Sequence, residues 1–165
     1  MSAIRPAVPD DADAISALAL RSKAHWGYSE AEMAAFAPEL ALSGAAVLEL
    51  RAHVAEERGH IVGFYTLGWA GADADEAELV HLFVDPACLG RGVGAALFRH
   101  ACGQARAAKV RRLVIESDPN AIGFYAAMGA RLARLAPSRI AGRMLPVFTM
   151  PLDESGDGEI GLAHR

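Results

Sequence analysis

Residues 78–95 read Glu78-Leu79-Val80-His81-Leu82-Phe83-Val84-Asp85-Pro86-Ala87-Cys88-Leu89-Gly90-Arg91-Gly92-Val93-Gly94-Ala95. The apolar run over 79–84 predicts a buried strand. A turn containing Pro86 follows, then Gly90, Gly92 and Gly94, then the alanine-rich start of a helix. Strand, glycine loop and helix N-terminus in this order make an anion site. Glycines let a backbone approach a phosphate, and the free N–H groups of the first helical turn point at it. The stretch therefore predicts a phosphate-bearing ligand.

The rest of the sequence narrows the setting. A chain of 165 residues suits one domain with a real core. It is 53% hydrophobic and 22% charged with a formal net charge of −4, an ordinary globular composition. That balance lacks the basic face of a nucleic-acid binder and predicts none as partner. Cys88 and Cys102 have neither metal nor redox spacing and read as free thiols, so no metal is expected. The N-terminal residues carry no secretory apolar segment, and no apolar run reaches membrane-spanning length. The expected location is the cytoplasm, with no membrane partner.

Outward from the central stretch, strand and helix signals alternate. A first strand is expected over 4–7. Pro9 and the acids at 10, 11 and 13 then open an amphipathic helix with Ile15, Leu18 and Ala19 on its inner face. His25-Trp26-Gly27-Tyr28 breaks that helix, and Ser29 with Glu32 forms a capping box that starts another. Pro38 and Ser43-Gly44 are expected to end this region. Strands over 52–56 and 61–67 flank Glu57-Arg58-Gly59-His60 as a hairpin. A polar loop over 71–76 leads into the central strand, and the helix after the glycines runs over 92–108. A strand over 112–116 follows it and should lie parallel to the central strand through a right-handed crossover. Asp118-Pro119-Asn120 opens a helix to Met128 that Gly129 closes. Strands over 131–135 and 145–150 complete one mixed α/β domain over 3–151. The polar tail over 152–165 is expected to be mobile.

Which phosphate ligand fits is a question of motif detail. A P-loop needs a Lys after its last glycine, and none is present. Residues 90–95 do match the dinucleotide pattern G-x-G-x-x-A, with Glu116 about 20 residues on as a ribose-binding acid. Against this, Asp85 to Leu89 separate the glycines from their strand. Too little chain follows, besides, for the rest of a doubly wound sheet. The same residues, read with a second motif, resemble the GNAT superfamily of acetyl-CoA-dependent N-acetyltransferases. The first motif is [QR]-x-x-G-x-[GA] after a strand and turn, here Leu89 to Gly94. The second is an Asn, an aromatic-Tyr pair and a closing Gly, here Asn120, Phe124-Tyr125 and Gly129. Leu89 departs from the usual Gln or Arg. Since the family's pyrophosphate contacts are mostly backbone amides, Leu89 is expected to keep an N–H contact and lose a side-chain one.

The resemblance implies a mixed sheet of six or seven strands with helices on both faces and a parallel central pair splayed around the cofactor. It implies an acyltransferase that moves acetyl from acetyl-CoA to a primary amine of a small molecule or peptide. A catalytically weak acyl-CoA-binding module on the same fold, or a dinucleotide oxidoreductase, are the other readings. A homodimer is a family-level expectation only. Backbone groups of Leu82, Phe83 and Val84 would meet the pantetheine arm, with the Leu82 N–H facing the thioester oxygen. Leu89, Gly90, Arg91, Gly92, Val93, Gly94 and Ala95 would hold the pyrophosphate, and Asn120 the pantetheine or the cap of its own helix. Tyr125 is the candidate acid for the coenzyme A thiolate, although it also shares an amphipathic stripe with Ile122 and Met128. Glu78 is the candidate base, against a solvated strand-edge acid. His81 is the rival base, and strict alternation puts it on the opposite strand face, so at most one of the two should face the acceptor unless a bulge intervenes. His25, Trp26 and Tyr28 would wall the amine-bearing acceptor through cation–π contact, or simply pack a helix corner. Ser138, Arg139 and Arg143 could flank the same cleft or lie on the surface. Cys88 has no assigned role.

Overall fold

Chain order is β1 (Ala3–Pro6), α1 (Ala12–Ala24), α2 (Glu30–Leu40), α3 (Gly44–Glu49), β2 (His53–Glu57), β3 (His60–Gly68), β4 (Glu76–Val84), α4 (Val93–Ala107), β5 (Arg112–Glu116), α5 (Ile122–Ala127), β6 (Arg131–Pro137) and β7 (Met144–Pro151). Short 3-10 turns lie at Pro9–Asp11, Pro86–Cys88 and Pro119–Ala121. This computed structural model describes residues 2–69, 75–138, 140 and 142–153.

The seven strands form one sheet in the order β1-β2-β3-β4-β5-β7-β6. Only the β4–β5 neighbours are parallel, and every other pairing is antiparallel. A doubly wound dinucleotide fold needs a mostly parallel sheet, so that reading falls on topology. The β2–β3 hairpin closes through Arg58-Gly59, both at positive φ (51° and 79°), with Glu57 opposite His60. Two consecutive positive φ angles match the twist of paired strands.

Alternation along the strands feeds two cores. Val54 and Phe64 face α1, α2 and α3 and join Ile15, Leu18, Phe36 and Val47. Tyr65, Leu113 and Ile115 face α4 and α5 and join Leu97, Phe98 and Tyr125. Helices thus cover both faces, as expected. Helix α4 crosses the sheet at Gly63, where a Cβ would lie 2.8 Å from Leu97 Cδ1 and 3.0 Å from the Phe83 carbonyl oxygen. Among the described residues no helix is long and apolar enough to cross a membrane. Cys88 and Cys102 are both free and buried.

Three expectations need correction. Pro38 does not end α2 but lies within it. Both Pro38 and Ala34, whose carbonyl would have received the missing N–H, are exposed, so water can satisfy that oxygen. Ser43-Gly44 begins a helix that the sequence reading lacked, since the Ser43 hydroxyl accepts the Ala46 N–H at 3.1 Å and caps α3. Leu152, expected in the tail, is 2% exposed and its N–H donates to the Arg111 carbonyl at 2.8 Å. The remainder of the tail from residue 154 lies outside the described residues.

The Gly63 contact yields a stability prediction. Gly63→Ala places a methyl against a backbone oxygen that cannot move without disturbing β4. We expect a loss of about 1–3 kcal/mol in urea unfolding, the usual scale of overpacking.

Candidate functional site

The site begins where a ladder stops. Strands β4 and β5 pair only at Glu76–Arg112, Ala77–Leu113 and Glu78–Val114. Beyond Glu78 the strands part, and β5 continues against β7 instead. On its other side β4 stays paired with β3 through Val84. The Asp85 N–H donates to the Val62 carbonyl at 2.8 Å, in register with the pair Gly63–Val84. Antiparallel pairs alternate between bonded and non-bonded. Phe83–Phe64 is therefore a bonded pair, while Leu82–Tyr65 and Val84–Gly63 are not. Leu82 and Val84 turn their N–H and C=O groups into the gap, and Phe83 spends its own on β3. Of the three backbone contacts expected at 82–84, the ladder leaves two.

Past the gap, the Asp85 side chain accepts the Ala87 N–H at 3.0 Å and fixes the turn. Gly90 (φ 78°) and Gly92 (φ 82°) then take left-handed backbone, with nothing within 4 Å of where a Cβ would lie. Gly92 is the N-cap of α4, and the helical ladder starts with the Ala96 N–H on its carbonyl at 3.1 Å. The N–H groups of Val93, Gly94 and Ala95 are left without intrahelical partners. A cradle of open space under unpaired donors at the start of a 15-residue helix suits a phosphate-bearing group. Two expectations change here. The Leu89 N–H already donates to the Pro86 carbonyl at 3.4 Å. The Arg91 guanidinium makes two bonds to Glu57, at 3.1 and 2.9 Å, so its side chain is held by the hairpin. Gly94 has a packing reason as well, since a Cβ there would lie 3.3 Å from Phe124 Cε1.

The gap opens on a cavity of about 620 Å³ lined by residues of α1, α2, β4, β5, α5 and the β6–β7 connection. Tyr125 lines it and is 6% exposed, its ring packed among Phe98, Phe124 and Phe148 at centroid distances of 5.9, 5.1 and 5.9 Å. Among the described residues its hydroxyl makes no hydrogen bond, and no buried side-chain polar atom is left unsatisfied, so the oxygen reaches open space. Burial, and then the Asp118 carboxylate, push its pKa up. The phenol keeps its proton over the neutral range.

Glu78 and His81 both line this cavity. Strict alternation predicted opposite faces, and a bulge overturns that. Thr66 pairs with His81 and Leu67 with Leu79, leaving Val80 as an extra residue that resets the alternation. Glu78 opens to the cavity without an ion-pair partner among the described residues, and its pKa is raised by burial and by Glu116. His81 is tied at both nitrogens. Its Nε2–H donates to the Glu39 carbonyl at 3.0 Å, and Nδ1 lies 2.8 Å from the Thr66 hydroxyl, which donates to the neutral ring. Burial lowers its pKa. With both nitrogens engaged, His81 is a strap between β4 and α2.

The acceptor wall differs from its expectation. His25 and Trp26 stack edge to face at 5.2 Å, are exposed and do not line the cavity. Tyr28 does not line the cavity either, but it joins residues that do in a polar cluster. Its hydroxyl donates to Asp118 Oδ2 at 2.7 Å and accepts from Arg143 at 2.6 Å. Lys23 Nζ reaches the same Asp118 oxygen at 2.6 Å. Lys23 also lies 4.4 Å over the Phe36 ring and Arg143 4.9 Å over Tyr28. Of the aromatic faces expected to greet an amine, that of Tyr28 is thus covered by the chain's own cations. Burial pushes the Asp118 carboxyl up, yet Lys23, the Asn120 N–H and Tyr28 together hold it below the usual range. Asp118, not Asn120, caps the turn before α5, and the Asn120 side chain donates to it at 2.9 Å. Ser138 and Arg143 line the cavity, while Arg139 lies outside the described residues. Among the described residues no cluster of His, Cys, Asp or Glu could hold a metal.

Sequence reasoning missed Lys23, Phe36 and the role of Asp118, and weighed Glu116 only as the ribose-binding acid of the dinucleotide reading. Asp118 before Pro119 signals a cap, but nothing local ties it to Lys23, 95 residues away.

Comparisons with known proteins bear on this arrangement. The Acetyltransferase (GNAT) family matches residues 16–130. Similar solved structures include a GCN5-related N-acetyltransferase from Rhodopseudomonas palustris (TM-score 0.74, 26% identity, 92% of this chain and 96% of that one). Another is the paia N-acetyltransferase of Thermoplasma acidophilum in complex with coenzyme A (0.77, 16%, 92% and 99%). A third is yncA of Salmonella typhimurium with its cofactor acetyl-CoA (0.67, 23%, 93% and 95%). No curated protein matches.

The strap makes a testable statement about pH. A histidine held neutral binds fewer protons folded than unfolded. Its contribution is present above the unfolded pKa of about 6.5 and is lost as pH falls below that value. His53 and His100 are lowered in the same direction by burial. We expect urea stability to fall on acidification from about pH 7.5 to 5.5. In His81→Gln that fall is shallower, starting from a lower value at neutral pH.

Proposed function

The chain belongs to the GNAT family of acetyltransferases, and from that premise we propose that it moves an acetyl group from acetyl-CoA to the primary amine of a small molecule or peptide by direct attack. One observation carries this reading. An open glycine cradle follows the strand whose gap with β5 borders a cavity, and that cavity is lined by both an unpaired carboxylate and an unbonded phenol.

Acetyl-CoA supplies an activated thioester whose acyl carbon an amine can attack, leaving coenzyme A as a thiol. The chain's residues supply position and proton traffic. The α4 N-terminus and the loop N–H groups suit the pyrophosphate. The gap-facing N–H and C=O groups of Leu82 and Val84 suit the amides of the pantetheine arm. The Leu82 N–H is assigned to the thioester oxygen, where negative charge grows. Glu78 takes a proton from the acceptor ammonium, since an amine with a pKa of about 10.4 attacks only after losing one. Tyr125 gives its hydroxyl proton to the leaving sulfur and recovers one from the amine nitrogen through the cavity. Per turnover one proton passes to solvent. Holding the two reactants in line contributes alongside these transfers. A module that only binds acyl-CoA has no use for the unbonded Tyr125 hydroxyl.

Acetyl-CoA should stabilise the protein against heat, by about 2.7 kcal/mol at a hundredfold excess over its dissociation constant. Gly92→Val strains a left-handed residue and fills the cradle. Gly59→Val strains a comparable residue in the β2–β3 turn, also with nothing within 4 Å of its Cβ position. Both variants should lose stability, and only Gly92→Val should lose the protection by acetyl-CoA. Protection by NADH instead would overturn the assignment.

Tyr125→Phe keeps the ring and removes the proton. Turnover should fall roughly 10²-fold with acetyl-CoA protection intact; wild-type turnover would return Tyr125 to a packing role. Glu78→Gln should lower the rate most near neutral pH and recover in part at high pH, where free amine is abundant. His81→Gln should leave the acidic limb of the rate profile in place.

A further inference from the structure

The last rung of the parallel ladder sets Glu78 beside Val114, and residues opposite one another in a sheet share a face. Glu116 lies two residues past Val114 on β5, so it stands on that same face. The burial pattern agrees. Ala77, Leu79, Leu113 and Ile115 are buried in the core under α4, which leaves Glu78, Val114 and Glu116 for the opposite side. Both carboxylates line the cavity into which the unbonded Tyr125 hydroxyl opens.

Every cation described in this cavity already has a partner. Lys23 is held by Asp118, and Arg143 by Tyr28 and, at 3.9 Å, by Glu32. Neither Glu78 nor Glu116 has an ion pair among the described residues. Among the described residues the unpaired charge of the cavity is therefore negative and sits at the mouth of the gap, in the cavity that the phenol also lines.

We propose that Glu116 is a positioning residue, which with Glu78 holds the acceptor as an alkylammonium and keeps its nitrogen at the mouth of the gap. This rests on the acetyl-transfer reading for its purpose, but not for its test. The acceptor class it selects is the aliphatic primary amine that arrives protonated; arylamines, neutral near pH 7, gain nothing from the pair. The step balances simply. The ammonium gives one proton to a Glu78 oxygen, and the cation–carboxylate contact becomes a neutral amine beside a carboxylic acid. A second carboxyl group on the same face favours that transfer, because like charges disfavour two ionised carboxylates at once. The upward shift of Glu78 beside Glu116 accords with this. The other charged or titratable groups lining the cavity are Lys23 from α1, Glu39 from α2, His81 from β4, Asp118 before α5, Tyr125 from α5 and Arg143 before β7. All are unchanged when only Glu116 is altered.

The test is a carboxyl carbon-13 NMR titration of the full chain labelled at glutamate, with Glu78 assigned through Glu78→Gln. The Glu78 midpoint should fall in Glu116→Gln and return toward the wild-type value in Glu116→Asp. Adding n-butylammonium should lower the midpoint in the wild type, and by at least threefold less in Glu116→Gln. A Glu78 midpoint unmoved by Glu116→Gln, or an n-butylammonium effect equal in both proteins, overturns the proposal. Protection by acetyl-CoA is measured on the same samples. Loss of that protection with the Glu78 shifts intact would sink the acetyl-transfer reading and leave the carboxylate pair standing.

Discussion

Three rungs of parallel ladder hold β4 to β5, and the site depends on there being no fourth. A backbone N–H or C=O turned toward a neighbouring strand requires a partner, and here the neighbour has swung away. Leu82 and Val84 therefore offer an incomplete sheet edge inside the molecule. An extended ligand with its own amides can complete it. The remaining parts serve this opening. Helix α4, packed onto Gly63 and against Phe124 through its own Gly94, brings its N-terminus to one end of the gap. The aromatic cluster around Tyr125 sets a phenol in the lining of the cavity on which the gap opens.

The opposite half of the cavity is made by long-range charge pairing. Lys23, Tyr28, Asp118 and Arg143 come from four separate parts of the chain and meet within 2.6–2.7 Å contacts. Partly buried pairs of this kind are costly to assemble and more costly to leave half-made. They fix where α1 and α2 stand relative to β5 and β7. The His81 strap adds a second tie from α2 to β4. Together these bonds give the acceptor side a defined shape without using Glu78 or Glu116.

Much of this was legible from the sequence because its causes are local. The glycines at 90 and 92 announce positive φ, the apolar run before them announces a strand, and Ser29 with Glu32 announces a helix start. The turn at Arg58-Gly59 is local in the same sense. What escaped reading depends on partners distant in sequence. The bulge at Val80 exists only in register with Thr66 and Leu67, so strict alternation misassigned Glu78 and His81. Helix α3 is six residues long, and its capping serine follows a proline that reads as a stop. Tyr28 as an open aromatic wall was a fair reading of residue type. It failed because the cations that cover the wall lie at positions 23 and 143.

The division of labour between the two halves has a consequence for how such a chain can diversify. The donor half is one contiguous segment, from the gap strand through the first turn of α4, and its function is carried largely by backbone. Side chains there can drift, as Leu89 illustrates, provided the left-handed glycines stay. The half proposed for the acceptor is scattered over α1, α2, the turn before α5 and the β6–β7 connection, and it is written in side chains. On the proposed acetyl transfer, exchanges in those segments can reshape the chamber assigned to the amine while the cradle and the parted strands remain as they are. New substrate preference can therefore arise without rebuilding the machinery that handles the thioester.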